Sequence, residues 1–367
     1  MNREDDIESL HELWAKELAE NGGRRFVENA PVADGFVLYD NIPIRVDHSA
    51  FGATYVCSVY TTIVDYAVEE LDIVSSISPA KKIHFRTLVF FISKLLRVVK
   101  IDEVVSVNNF LLSTNFYPTY RPGLATKIIT ELSEKYPKHA IMFRSVNRRC
   151  NAELICELKN TGCFLIPSRQ VFIIDPKNTD LRRCRSHQND LKLFRKTPYK
   201  VAEHHDLLDA DFRRIVQLYD LLYLEKYSQF NPAFTEEFIR FAHDTGLIRF
   251  VGLRNESGIL DGIKGCYYRG NVMTSSIIGY DTALPQKLGL YRMLTALSIQ
   301  EAEKSGMLFN MSSGVGPFKL SRCAVKEIEF SAVYTKHLKL SLKKVVWSML
   351  VRLLNMLVLP MMEKYDF

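Results

Sequence analysis

Apolar residues along this chain switch between two spacings, and the switches mark its elements. Ile7, Leu10, Leu13, Trp14 and Leu18 recur every three or four residues, which predicts a short amphipathic helix. The stretches 26–46 and 50–64, rich in aromatic and β-branched residues, read as strands. Residues 86–99 (RTLVFFISKLLRVV) read as a buried helix, too short and too interrupted by Lys94 and Arg97 to span a bilayer. From Val104 the order becomes regular: strand 104–114, a Pro/Gly turn at 118–123, helix 124–135, strand 140–146, helix 152–159 and a long strand 163–174. This β-α-β-α-β succession predicts an α/β fold with helices packed on a mixed sheet.

The second half repeats the plan. Helices are expected over 211–225 and 235–245, strands over 248–254, 263–268 and 272–280, then a turn at 282–289 and a helix at 290–305. A strand at 307–312, a Gly-rich turn, a short helix and a last strand at 326–335 follow. Laying Gly123 over Gly289, an offset of 289 − 123 = 166, brings Tyr120 to Ala125 onto Gln286 to Tyr291 and Met142-Phe143 onto Leu308-Phe309 without a gap. Two copies of one strand–turn–helix–strand module are therefore expected. The predicted units are a helix in 1–25, a first α/β domain in 26–180, a second in 181–340, and a C-terminal helix in 341–367.

Charge narrows the partners. Lys+Arg exceed Asp+Glu by 48 − 42 = 6, a mild excess that suits an anionic cofactor or a membrane surface and is too small to announce a nucleic-acid binder. Residues 181–200 hold seven cations and one acid, Asp190, and read as a solvated helix face opening the second half. Seven cysteines without a C-x-x-C pair read as reduced thiols of a cytoplasmic protein, and the acidic start MNREDDIESLHELW shows no secretory signal. No metal site is expected: His204-His205-Asp206 is adjacent in sequence and reads as a turn before a helix.

The candidate chemistry lies in the turn Gln286-Lys287-Leu288-Gly289-Leu290, between an apolar strand and a long helix. A helix start offers free N–H groups and a favourable dipole to an anion, a glycine lets a phosphate come close, and Lys287 adds charge. The pattern resembles the Q/R-x-x-G-x-G/A diphosphate loop of the GNAT acyltransferase superfamily, with Tyr291 where a small residue is usual. The helix LYRMLTALSIQEAEKSG, the strand FNMSSG and the run GPFKLSRCA resemble the end of tandem GNAT proteins of FemAB-like and CelD-like type.

That resemblance implies tandem GNAT-like domains and transfer of an acyl group from acyl-CoA to an amine or hydroxyl, with aminoacyl-tRNA as the alternative donor and a silent binding module as the alternative role. It places Ile278, Gln286, Lys287, Leu288, Gly289 and Leu290 at the donor, and backbone N–H groups of 275–280 at the oxyanion. Asp281 is the candidate base, Tyr280 and Tyr291 the candidate acids, and Ser312, Ser313 and Lys319 the candidate acceptor contacts. The second copy is the expected active one, because the first has Tyr120 and Pro122 where the second has Gln286 and Leu288. Gly289→Val is accordingly expected to weaken donor binding with the fold intact, and Gly123→Val to act on stability.

The tail (VVWSMLVRLLNMLVLP after Lys336, Lys339, Lys343 and Lys344) is a mostly apolar helix with one narrow polar stripe. Arg352 near its middle would cost about 2.5–3.5 kcal/mol in a span. The helix is expected either to pack between the domains or to lie peripherally on an anionic membrane.

Overall fold

The computed structural model describes residues 3–365 apart from 32–34, 67, 70–78 and 340–341; residues 32–34, within the first predicted strand, lie outside that description. In the first half, helix α1 (Arg3–Asn21) precedes β1 (Gly35–Tyr39), β2 (Ile42–Asp47), α2 (Pro79–Val98), β3 (Val104–Val107), α3 (Leu124–Lys135), β4 (Ala140–Asn147), α4 (Arg148–Thr161) and β5 (Phe164–Ile174). In the second, α5 (Arg185–Lys196), β6 (Lys200–Ala202), α6 (Asp209–Asp220), α7 (Glu236–Asp244), β7 (Ile248–Arg254), β8 (Leu260–Arg269) and β9 (Val272–Tyr280) come first. Then follow α8 (Leu290–Ser305), β10 (Leu308–Asn310), α9 (Gly316–Leu320), β11 (Val325–Tyr334) and α10 (Leu342–Lys364).

All eleven strands join one mixed sheet in the order β1-β2-β3-β4-β11-β5-β10-β9-β8-β7-β6. Two neighbouring pairs are parallel, β3 with β4 and β9 with β10, and each is bridged by the helix that follows the glycine turn. The units β3-α3-β4-α4-β5 and β9-α8-β10-α9-β11 therefore share one strand order. Their last strands are exchanged: β11 lies between β4 and β5, and β5 lies between β11 and β10. Both glycines adopt the left-handed conformation directly before the helix, Gly123 at φ 81° and Gly289 at φ 71°, which a residue without Cβ does at least cost.

Helix α1 packs across the halves. Trp14 meets Phe110 of the first half at 4.9 Å and Phe238 of the second at 5.4 Å between ring centroids, and His11 Nε2 lies 2.8 Å from Tyr267 Oη. Burial lowers the His11 pKa to about 3, so the ring is neutral and serves packing.

Three expectations need correction. Residues 50–64 are not a strand: Ser58 Oγ accepts from Thr61 N–H and Thr62 Oγ1 donates to the Ser58 carbonyl, and the chain winds into a π-helical turn at Thr61–Asp65. Such local side-chain bonds compete with a ladder. Strand β3 stops at Val107, because Asn108 and Leu111 take positive φ and the side chains of Asn109 and Asn115 satisfy the backbone of the buried loop. Among its described side chains the α2 helix buries Val89, Ser93 and Leu96 on one face, while Phe90 and Phe91 are exposed.

Candidate functional site

Strands β9 and β10 pair only over 272–274 against 308–310. Strand β10 then ends, while β9 continues to Tyr280, so the last six residues of β9 have an open edge on that side. The β8–β9 register shifts at Gly265/Cys266, leaving Ser276 as the extra residue of a bulge, which bends the strand away. The chain turns through Gln286–Leu288 and Gly289 into α8. The N–H groups of 290–292 bond to no side chain among the described residues, as expected of a first helical turn.

Gln286 and Lys287 are exposed at this turn, whereas Ile278, Gly289 and Leu290 are buried and Leu288 is half-buried. A Cβ at Gly289 would stand 2.5 Å from Leu193 Cδ2 of α5. The room at this glycine is thus taken by the basic helix, not left for a phosphate. Asp190, the lone acid of that segment, is buried, while its seven cations are exposed. It accepts from Arg292 Nε at 2.6 Å and from Arg322 Nη2 at 2.6 Å, which fastens α5 to α8 and to the turn after α9.

The first copy is closed at the same place. Strand β3 pairs with β4 along its whole length and has no open half. The start of α3 is capped by a side chain of the protein itself. Glu157 Oε1 accepts from Thr126 N–H at 2.8 Å, and Oε2 accepts from Gly123 N–H at 3.1 Å and from the Tyr120 hydroxyl at 2.9 Å. Partial burial opposes the Glu157 charge, yet these bonds outweigh it and hold its pKa below the usual carboxylate value.

Of the residues expected at the reacting centre, Asp281 accepts from Arg214 Nη2 at 2.8 Å and from Ala283 N–H at 3.0 Å, so its carboxylate is both ion-paired and a turn cap. Tyr280 and Tyr291 come together with ring centroids 6.1 Å apart, and Tyr291 meets Phe318 at 5.0 Å. Burial raises the Tyr291 pKa. Lys319 is 2% exposed and donates to the carbonyls of Ser312 at 3.1 Å and Ser313 at 2.7 Å. Burial, with the Arg169 charge behind it, lowers its pKa to about 7.

Sequence reasoning missed a group around this frame. Tyr219 and Tyr223 stack at 4.7 Å, Tyr55 and Tyr66 pack at 5.2 Å, and Tyr223 lies within electrostatic reach of Tyr291, Tyr55 and Tyr66. Tyr66 follows the first π-helical turn and Tyr223 sits in a second, Leu221–Glu225; such turns are frequent at functional sites. Gly279 of β9 lets the backbone of α6 touch the strand: its Cβ would stand 2.5 Å from the Leu218 carbonyl oxygen. Two residues on, Asp220 has an Oδ1 without a hydrogen-bond partner among the described residues, and burial, aided by Glu28 and Glu225, raises its pKa to about 6. Arg144, Arg169 and Glu329 were also missed. The available signal was a charge inside an apolar strand, as in AIMFRSVN and FLIPSRQVFII.

No protein-family model matches the chain, and no curated protein matches it. Among solved structures, L-PGS from Bacillus licheniformis is similar at 15% identity over 62% of this chain and 77% of that one, with a TM-score of 0.45. FemX is similar at 10% identity over 58% and 76%, with a TM-score of 0.45. A tandem GNAT protein from the clavulanic acid biosynthesis pathway is similar at 11% identity over 62% and 74%, with a TM-score of 0.38.

Proposed function

We propose that the protein is an acyltransferase whose second copy binds an acyl-CoA donor and passes its acyl group to an amine or hydroxyl. The observation that carries this reading is the open edge of β9 beside a helix start whose N–H groups no carboxylate among the described residues caps. The first-turn N–H groups of α8 with Lys287 would hold the donor diphosphate, which approaches from the exposed Gln286–Lys287 side, since Leu193 covers Gly289. The acceptor nitrogen attacks the thioester carbonyl, N–H groups along β9 stabilise the oxyanion, and the C–S bond breaks. Asp220, ionised at neutral pH, takes the amine proton, and Tyr280 or Tyr291 protonates the leaving thiolate. Asp220 is preferred to Asp281 because Arg214 already engages the latter.

The exposed cations of α5, a helix that lies on the same turn through Leu193, favour aminoacyl-tRNA as the second reading. Calorimetric titration of the full chain with acyl-CoA and with charged tRNA separates them. Acyl-CoA is expected to bind, with Lys287→Glu weakening it about tenfold. Asp220→Asn should keep donor affinity and lower turnover about 100-fold. A folded chain that binds no acyl-CoA sinks the first reading.

The membrane contact is proposed from both α10 and α2. Val346, Trp347, Leu350 and Val351 of α10 are buried against the sheet in one cluster with Val89 and Leu96 of α2. The outer surfaces expose Phe90, Phe91 and Val98 on α2 and Val345, Met349 and Met356 on α10, with Lys94 and Arg352 among them. Apolar side chains interleaved with cations suit an anionic bilayer interface. Deleting 336–367 would uncover β5, so the sharper test is a Phe90→Ser, Phe91→Ser, Met349→Ser variant. Sedimentation with anionic vesicles should show salt-sensitive binding that this variant loses; equal binding by both proteins removes the surface from the argument.

A further inference from the structure

Three strands of the central sheet each bring one charged side chain into the same space between the halves. Arg144 comes from β4, where the register with β11 shifts and Ser145 takes φ 61°; Arg169 comes from β5 and Glu329 from β11. A bulge of this kind re-aims a side chain. Arg169 donates Nε at 2.9 Å and Nη2 at 2.7 Å to Glu329 Oε1, Nη2 at 3.0 Å to Thr114 Oγ1, and Nη1 at 3.4 Å to Ser312 Oγ. That network uses one oxygen of Glu329. The other oxygen, together with Arg144 Nη1 and Ser145 Oγ, is buried and has no hydrogen-bond partner among the described residues.

The charges do not balance. Arg144 and Arg169 share one carboxylate, Glu329, which is 2% exposed, and the Lys319 amine lies within electrostatic reach of Arg169. Burial presses on the Arg144 guanidinium, with Glu329 relieving it and Arg169 adding to the pressure. Arginine does not shed its proton, so the remedy is an anion. Tyr55 lies within electrostatic range of both arginines and of Tyr223, and Tyr223 lies within that range of Tyr291 near the donor turn.

We propose that Arg144, backed by the Arg169–Glu329 pair, binds an oxyanion of the acyl acceptor, a phosphate or carboxylate, and so presents its nucleophile along the tyrosines to β9. Glu329 Oε2 is left to accept an N–H or O–H of the same molecule. This rests on the acyl-transfer reading for the word acceptor; the anion site itself does not.

The test uses the full chain and inorganic phosphate, with acetate as the carboxylate probe. Each should raise the melting temperature in a dose-dependent way beyond a chloride control at equal ionic strength. Arg144→Gln, which leaves the Arg169–Glu329 pair in place, should lose that rise, and Arg144→Lys should recover part of it. Persistence of the full rise in Arg144→Gln, or no rise in the parent, overturns the site. If Arg144→Gln does not fold, hydrogen exchange on the parent decides: phosphate should slow exchange in 140–147 and 50–57, and slowing confined to 286–292 overturns the proposal. Glycerol 3-phosphate against a phosphate-bearing lipid in micelles tells a free phosphate from a head group, since the stronger protection of 140–147 names the source. Acyl-CoA stabilisation, measured on the same samples, reports separately on the transfer reading. Its absence with the phosphate effect intact strikes that reading and leaves the anion site standing.

Discussion

The two glycine turns start from one design and end differently. At each, a left-handed glycine feeds a helix whose first N–H groups point out of the turn. At α3 the carboxylate of Glu157 takes those groups, and the preceding strand ends where its pairing ends. At α8 no carboxylate among the described residues takes the first-turn N–H groups, and β9 runs six residues past its partner. An anion site therefore needs more than a helix start: it needs the protein to leave that start uncapped. One acidic residue on the following helix is enough to turn a binding turn into a structural one.

Substitutions can break this comparison, and the largest effect belongs to the glycines. Gly289→Val places a branched side chain at φ 71° and drives its Cβ into Leu193. Backbone strain and overpacking together should cost about 3 kcal/mol, lowering the melting temperature and, with it, donor affinity. Gly123→Val meets nothing within 4 Å and keeps only the strain, about 1–2 kcal/mol. The sequence suggested the opposite order of stability effects, because it does not reveal that α5 lies on the second turn. Thermal unfolding of both variants checks this; a larger loss in Gly123→Val would mean that Leu193 does not rest where it is described.

A smaller effect sharpens the contrast. Glu157→Gln should lose about 1 kcal/mol at pH 7, the usual worth of a helix cap. The folded pKa of Glu157 is depressed, so its stabilisation is present above the unfolded value and fades as pH falls through the folded one. Parent and variant should therefore converge in acid, below about pH 4. Melting curves that stay parallel at every pH would show that the carboxylate charge does not hold the turn.

Elements whose faces repeat locally were legible: α3 and β9 fall where the spacing puts them, and the 166-residue offset revealed the shared strand order. The loop after β3 was misread because Phe110, Leu111 and Leu112 are as apolar as a strand, yet they fill the core from an irregular backbone. Partner choice was invisible. Nothing local in β11 says that it lies between β4 and β5, and the Arg169–Glu329 pair spans 160 residues. The turn of the candidate site was legible and the charged cluster in the sheet was not, for that reason: Arg144, Arg169 and Glu329 become neighbours only after the exchange.

That exchange also governs how the chain can be made. During synthesis β4 and β5 emerge long before β11, and until it arrives each presents an unpaired edge to the cell. The first half cannot complete its sheet early and wait, as an ordinary leading domain does on the ribosome. Folding is therefore a late, concerted event dominated by long-range pairing, and slow for its length. A truncated product lacking β11 would not be half a working protein; it would be a chain with two open strand edges, destined for chaperones or proteolysis.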